Sequence, residues 1–312
     1  TGHSVPIGTG VTIQRTPGGC RPLPPAPPPT KDGAAAAMGR TRRRTNRRMS
    51  VIVTMPYYKV GPLLRRAVES ILNQTHQDWR LIIVNDADPE PPWQYIDDLN
   101  DPRIVRFDLK ENRGRYFADA VIFEACQPEW WALADPDDVS YPKRFERMLD
   151  VAQDTGVAFG PWKIHRINGT SYVSDKGLWE KPARYKVKYL GGYGPGLISG
   201  ERIRRAGGFH PGYRVAYDNL LLNLIRLTGP VSVTDEVMGA KFFRANSLTT
   251  SRRTGMRSSY RRRVHADRLA LWQKAWDHYH KHGEVASVVR ADIPGGLWRE
   301  VQVQAARLRR LL

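Results

Sequence analysis

Apolar positions along the chain follow two periods. Ser50–Thr54 and Leu81-Ile82-Ile83-Val84 are short, nearly continuous apolar runs, as strands buried on both faces require. Between them Leu63, Leu64, Ala67, Val68, Ile71 and Leu72 recur at helical spacing, and Pro56 is expected to end the first strand. Arg103–Phe107 reads as a third strand, Tyr116–Ala125 as a helix and Trp130–Ala134 as a fourth strand. Strands alternating with helices predict an α/β fold with a mainly parallel sheet flanked by helices. Ligands of such sheets lie beyond the carboxyl ends of the strands, where Pro56, Asp86 and Asp135 fall.

From about Val151 the alternation loosens. Gly191–Gly196 reads as a flexible connector, with no phosphate-loop motif around it. A helix is expected through Leu220, Leu221, Leu224 and Ile225, just after Asp218. Beyond Ser251 two basic amphipathic helices are expected, one with Leu269, Trp272, Ala275, Trp276 and Tyr279 on its apolar face. The other carries Trp298, Val301, Ala305, Leu308 and Leu312. Packing of these faces on the preceding domain or on a second subunit, as in a homodimer, is the expected use. Peripheral contact with an anionic membrane is the alternative. His278, His280 and His282 alternate, and helical geometry spreads them around the cylinder as surface residues.

Charge changes the picture at both ends. The net charge is +18, of which residues 1–48 carry +8, residues 49–251 only +1, and residues 252–312 +9. Eight of the 23 prolines lie in residues 1–48, followed by an arginine run with almost nothing apolar to bury. A disordered segment is expected there. Met38 and Met49 are both available as starts, so a leader, an expression remnant or an upstream-translated segment is preferred over a nucleic-acid arm. The organisation read from the sequence is therefore 1–48 disordered, 49–150 and 151–251 as two halves of an α/β body, and 252–312 as a helical extension. Two cysteines exclude a disulfide framework or Cys-rich zinc site and suit a cytoplasmic setting. No apolar stretch approaches the ~20 residues of a membrane-spanning helix.

The strongest chemical feature is Asp135-Pro136-Asp137-Asp138, directly after the Trp-rich strand. Three carboxylates on one turn repel each other. Hard oxygen ligands of this kind suit Mg²⁺ or Mn²⁺, and such an ion bridges a diphosphate. The competing reading makes Asp138 a cap for the next helix.

The cluster sits in an ordered set: Pro56 with Tyr58, Gln74-Thr75, Asn85-Asp86, Asn112-Arg113-Gly114, then Asp135–Asp138. Over residues 49–251 this set resembles the family 2 glycosyltransferases, which have the GT-A fold, invert at the anomeric carbon and in this non-processive form lack membrane helices. The resemblance implies a donor half, 49–150, and an acceptor half, 151–251. It makes Asp86 the reader of the base's imide N–H in a UDP- or dTDP-sugar, with Pro56, Tyr58, Arg113 and Asp135 around the donor. Asp137, with Asp135, becomes the metal ligand, the ion being Mn²⁺ or Mg²⁺. Asp218, at the head of its helix, is similar to the family's general base for an acceptor hydroxyl; as a plain helix cap it would have no such part. Arg244 resembles the arginine of a late Arg-x-His-x-Ser segment and is a candidate phosphate contact.

The sequence departs from the family pattern at Lys59, Asn85, Asp88, Asp119-Ala120 and Asn246. Lys59 is a further candidate phosphate contact. The partners implied are a nucleotide-sugar and a hydroxyl acceptor, with no nucleic acid, in a cytoplasmic or membrane-peripheral protein. Two other classes stay open: a nucleotidyltransferase or other metal-phosphate enzyme, and a non-catalytic polyanion binder acting through its basic ends.

Overall fold

A computed structural model describes residues 50–174 and 196–312. The disordered segment expected at 1–48 and nearly all of the Gly191–Gly196 connector lie outside the described residues. The described residues gather into one compact unit, shared by what is described of the two expected halves and by the helical extension.

In chain order come β1 (Val51–Tyr57), α1 (Leu63–Leu72), β2 (Trp79–Asn85), β3 (Ile104–Asp108), α2 (Arg115–Cys126) and β4 (Trp130–Leu133). The chain continues through β5 (Val139–Ser140), α3 (Arg144–Ala152), β6 (Val157–Phe159), β7 (Trp162–His165) and β8 (Ser171–Val173). After residue 196 come β9 (Leu197–Ser199), α4 (Gly200–Arg205), α5 (Tyr217–Leu227), β10 (Ser232–Val233) and β11 (Gly239–Phe242). Three helices close the chain: α6 (Ser259–His282), α7 (Ala286–Asp292) and α8 (Gly295–Arg309).

The main sheet has the order β10-β6-β9-β4-β1-β2-β3. Strands β4, β1, β2 and β3 run parallel, and β9 is antiparallel to both neighbours. A smaller sheet, β5-β11-β7-β8, stands beside it. The continuous apolar runs are accounted for directly: Leu81, Ile82, Ile83 and Val84 are all completely buried, covered by helices on both faces of the sheet.

Strand β1 corrects one expectation, since it runs through Pro56 to Tyr57. β4 pairs only with Val51–Thr54, so at Pro56 that side of β1 has no strand waiting for an N–H. Gln74-Thr75 acts as a clamp. The Gln74 amide donates to the Tyr141 carbonyl and accepts from the Phe145 N–H, while the Thr75 N–H donates to the Pro142 carbonyl. The end of α1 is thereby tied to the segment following the acidic turn.

Helix α2 is buried from Tyr116 through Phe123 because it is covered on two sides, by the sheet and by α8. The C-terminal helices pack rather than project: Leu271, Trp272, Ala275, Val301, Ala305 and Leu308 are at most 2% exposed. Trp276, Tyr279 and Trp298 lie against the same core. A seven-residue helix, α7, sits between the two that the apolar spacing predicts. Among the described residues no helix is long and apolar enough to cross a membrane.

Candidate active site

The parallel strands β1, β2 and β4 end together, and a cleft of about 1350 Å³ opens where they stop. Pro56, Tyr58, Asp86, Asp135, Asp137, Asp218 and Arg244 all line it. Seven of the eight residues expected at the site thus come together from five separate segments. The exception is Arg113. Its guanidinium turns to Glu300 of α8 at 2.8 Å and to Glu111 at 3.3 Å, so the side chain braces the C-terminal helix instead of facing the cleft. Arg115, two residues later, takes the place facing the acids.

Asp86 is 3% exposed, and its two carboxylate oxygens accept the backbone N–H groups of Arg113 (2.7 Å) and Gly114 (2.8 Å) at the head of α2. Burial pushes its pKa up to about 6 against the opposing pull of those N–H groups. An ionised carboxylate offers about four lone-pair sites, so acceptor capacity remains. Asn112 completes the corner by donating to the Asp86 carbonyl, and Arg214 donates to the Asn112 side chain at 2.8 Å. Gly114 has φ +88°, and a Cβ there would stand 3.3 Å from Cγ of Arg214. Asn85 closes the turn after β2, accepting from the Asp88 N–H and donating to Asp108.

Each acid of the 135–138 turn meets a cation from this chain. Asp135 accepts Arg115 at 3.0 Å and Lys241 at 3.1 Å. Burial opposes its ionisation, but these two cations outweigh it and hold the carboxyl well below the usual range. Asp138 accepts Lys241 at 2.9 Å and the Phe242 N–H at 3.0 Å; burial, abetted by Asp135 and Asp137, pushes its pKa up to about 7. Asp138 therefore ties the turn to β11 and does not cap α3, whose N-cap is Lys143. Asp137 accepts Nε of Arg244 at 2.7 Å through one oxygen. Its other oxygen accepts no hydrogen bond among the described residues.

Asp218 lies in the first turn of α5, whose N-cap is Ala216 in a left-handed conformation, so Asp218 is not the cap. The Tyr116 hydroxyl donates to it at 3.0 Å. Burial and the Asp218 charge raise the Tyr116 pKa, which keeps that hydroxyl a donor. Tyr58 is 38% exposed with Lys59 Nζ 5.3 Å from its ring centre. Lys59 has φ +53° and its carbonyl accepts Arg244, so backbone geometry, rather than a place in the cleft, is its visible part.

Three side chains that line the cleft and contact its acids escape a reading of the sequence: Arg115, Tyr116 and Lys241. Arg115 also lies 3.8 Å from Asp119, itself fully buried and bonded to Thr54 at 2.9 Å. The one available signal was the Asp119-Ala120 departure, because a buried carboxylate calls for a cation one helical turn away.

A divalent ion can be tested against this donor set. Among the described residues no three His, Cys, Asp or Glu side chains form a cage. Ions of the Mg²⁺ type that travel with phosphates need only one or two carboxylates, and Asp137 keeps an oxygen open for one. Asp135 does not, since both its oxygens already hold cations.

The family model for glycosyl transferase family 2 matches residues 52–210, the stretch that supplies Pro56, Asp86 and the acidic turn. The chain belongs to this family. Among its curated relatives, an uncharacterized glycosyltransferase of Nostoc sp., alr2836, is 28% identical over 43% of this chain and 42% of its own length. The chain spans less than half the length of this and the next two curated relatives, 17% and 46%. The structure of S. aureus TarS 1–349 in complex with UDP-GlcNAc superposes with a TM-score of 0.52 at 15% identity, over 64% of this chain and 60% of that one. The mannosyltransferase PcManGT of Pyrobaculum calidifontis, in complex with GDP-Man and Mn²⁺, gives 0.51 at 15% identity over 83% and 73%. At these identities the likeness establishes the mixed α/β fold, in agreement with the expected GT-A architecture.

Proposed function

We propose that the chain transfers a sugar from a nucleotide diphosphate donor to an acceptor hydroxyl, with inversion. The observation that carries this reading is one cleft, at the strand ends, that gathers Asp86, the acidic turn and Asp218 in a family 2 glycosyltransferase. Asp218 takes the proton of the acceptor hydroxyl, oriented by the Tyr116 hydroxyl. The acceptor oxygen bonds to the anomeric carbon as the bond from that carbon to the diphosphate oxygen breaks. The electron pair leaves with the nucleotide diphosphate.

Asp86 receives the imide N–H of uracil or thymine through its spare lone pairs, beside Pro56 and Tyr58. UDP- and dTDP-sugars are accordingly the proposed donors. A divalent ion, Mn²⁺ or Mg²⁺, held by Asp137 and the diphosphate would supply charge neutralisation of the departing group. Arg244 and Lys241 stand ready to share that charge, while Asp135 keeps Arg115 and Lys241 in position. The PcManGT complex with Mn²⁺ supports divalent dependence, and the UDP-GlcNAc complex of TarS supports a nucleotide-sugar donor.

The test is a screen of nucleotide-sugars for divalent-dependent hydrolysis and transfer by the full chain. Asp218→Asn should lose ~10²–10⁴-fold in transfer rate with UDP affinity retained, and Asp137→Ala should lose the divalent dependence. Normal transfer by Asp218→Asn, or turnover of nucleoside triphosphates in place of nucleotide-sugars, would overturn the proposal.

A further inference from the structure

The cleft is larger than one small-molecule ligand requires, about 1350 Å³ against ~300–1,000 Å³, and part of its charged lining has no counter-charge among the described residues. Around the strand ends Asp135 and Asp137 are neutralised within the chain by Arg115, Lys241 and Arg244. Further lining comes from the segment between β11 and α6 and from the head of α6. Residues 243–266 contain seven arginines and no acid. Five of those arginines line the cleft together with Tyr260: Arg244, already paired with Asp137, and Arg252, Arg253, Arg261 and Arg263.

Arg261 is committed to structure: its guanidinium donates to the carbonyls of Thr254 and Leu248 and so holds the segment in shape. Arg252, Arg253 and Arg263 are exposed and, among the described residues, have no acidic partner. Three unpaired like charges on one wall repel each other. The first turn of α6 also has no acid and instead leads into Arg261-Arg262-Arg263, the reverse of the charge a helix start favours. Such a wall gains from an anion and loses without one. Guanidinium groups bind phosphate and carboxylate bidentately, and Tyr260 and Tyr172 line the same cleft.

We propose that the acceptor is a polyanionic chain, bearing phosphate or carboxylate groups, and that Arg252, Arg253 and Arg263 hold those groups at the mouth of the cleft. This rests on the glycosyl-transfer reading of the same site. The arginines fix where along the acceptor the hydroxyl nearest Asp218 lies.

The experiment uses the full chain saturated with UDP, so that the donor subsite is filled. Probes of matched length are oligo(glycerol phosphate), oligogalacturonate and a neutral maltooligosaccharide. Phenylglyoxal labelling followed by peptide mass spectrometry reads each arginine separately, which keeps the basic residues 1–48 out of the signal. Expected is protection of Arg252, Arg253 and Arg263 by at least one anionic probe, none by the neutral one, and no change at Arg299 and Arg310. The two anionic probes tell phosphate from carboxylate.

Calorimetric titration of R252Q/R253Q/R263Q should show anionic-probe affinity reduced by about tenfold for each arginine that holds an anionic group, with UDP affinity within about twofold of wild type. K281Q/R299Q/R310Q, equal in charge change, should bind as wild type does. Equal protection by the neutral probe, equal loss in the control variant, or loss of UDP affinity in the cleft variant would each overturn the assignment. Normal UDP binding with no protection by either anionic probe sinks this inference alone. Failure of UDP to bind overturns instead the uridine-donor reading on which this inference rests.

Discussion

Lys241 holds two buried carboxylates, so replacing it tests the charge balance under the site. In Lys241→Met, Asp135 keeps Arg115 at 3.0 Å, whereas Asp138 keeps only the Phe242 N–H at 3.0 Å. The loss therefore falls on Asp138, whose side chain is 2% exposed. Removing one partner of a buried pair costs ~3–5 kcal/mol while the other stays charged. Asp138 can escape by taking a proton, and its pKa already stands at about 7 because burial outweighs the lysine. In the unfolded chain an aspartate titrates near ~3.9, so folding binds a proton here and stability falls as pH rises from ~4. In the wild type that decline ends near pH 7. In the variant the lysine's lowering effect is gone and the decline continues, widening the deficit by up to ~1.4 kcal/mol per pH unit. Urea unfolding at pH 6.0 and 8.5 should show a deficit of ~1–2 kcal/mol at the lower pH and ~3–4 kcal/mol at the higher. Lys241→Met with Asp138→Asn should remove the pH dependence. A deficit equal at both pH values, or one unchanged by Asp138→Asn, refutes the reasoning.

Three further outcomes are expected. UDP affinity should fall as pH drops below about 6, because Asp86, raised to that value by burial, then loses its anionic form; fluorescence titration across pH 5–8 checks this, and a flat profile removes Asp86 from base recognition. Gly114→Ala should cost ~1–3 kcal/mol in urea unfolding, since φ +88° strains any side chain and the new Cβ presses on Arg214. Leu308→Ala should cost ~2–5 kcal/mol, because Leu308 is completely buried; a loss under ~1 kcal/mol would mean that α8 contributes little to the fold.

The parallel sheet was legible because β1, β2 and β4 are buried on both faces, which leaves apolar runs that few other structures produce. The site was legible where cleft residues and strand ends coincide: Asp86 and Asp135 follow strands, and Pro56 is the penultimate residue of one. Arg113 misled because its backbone and side chain do different work. Its N–H serves Asp86, and its guanidinium serves Glu300, 187 residues away in the chain. No local pattern encodes a partner at that separation. β10 and β5 escaped notice because each has two residues, too few to show a period. The helix packing was legible in outline, as Trp272 and Val301 are both fully buried where their spacing places an apolar face.

The residues that escaped notice are all cations or hydroxyls that answer an acid, and a physical reason unites them. A cluster of carboxylates at a strand end is visible in sequence because its members are adjacent; the charges that make it tolerable come from wherever the fold brings them. Arg115 reaches Asp135 from one helix and Lys241 reaches it from the second sheet. Asp119 stands where the family pattern has the arginine of its Arg-Asn pair, and Arg115 lies one helical turn earlier on the same face. The face thus carries a cation and an anion one turn apart. Arg115 is drawn between Asp119 and Asp135, and burial, which disfavours its charge, is outweighed by Asp135 and the neighbouring acids. A departure that looks damaging in one position is compensated four residues away, and only the geometry of the helix makes the two positions one site.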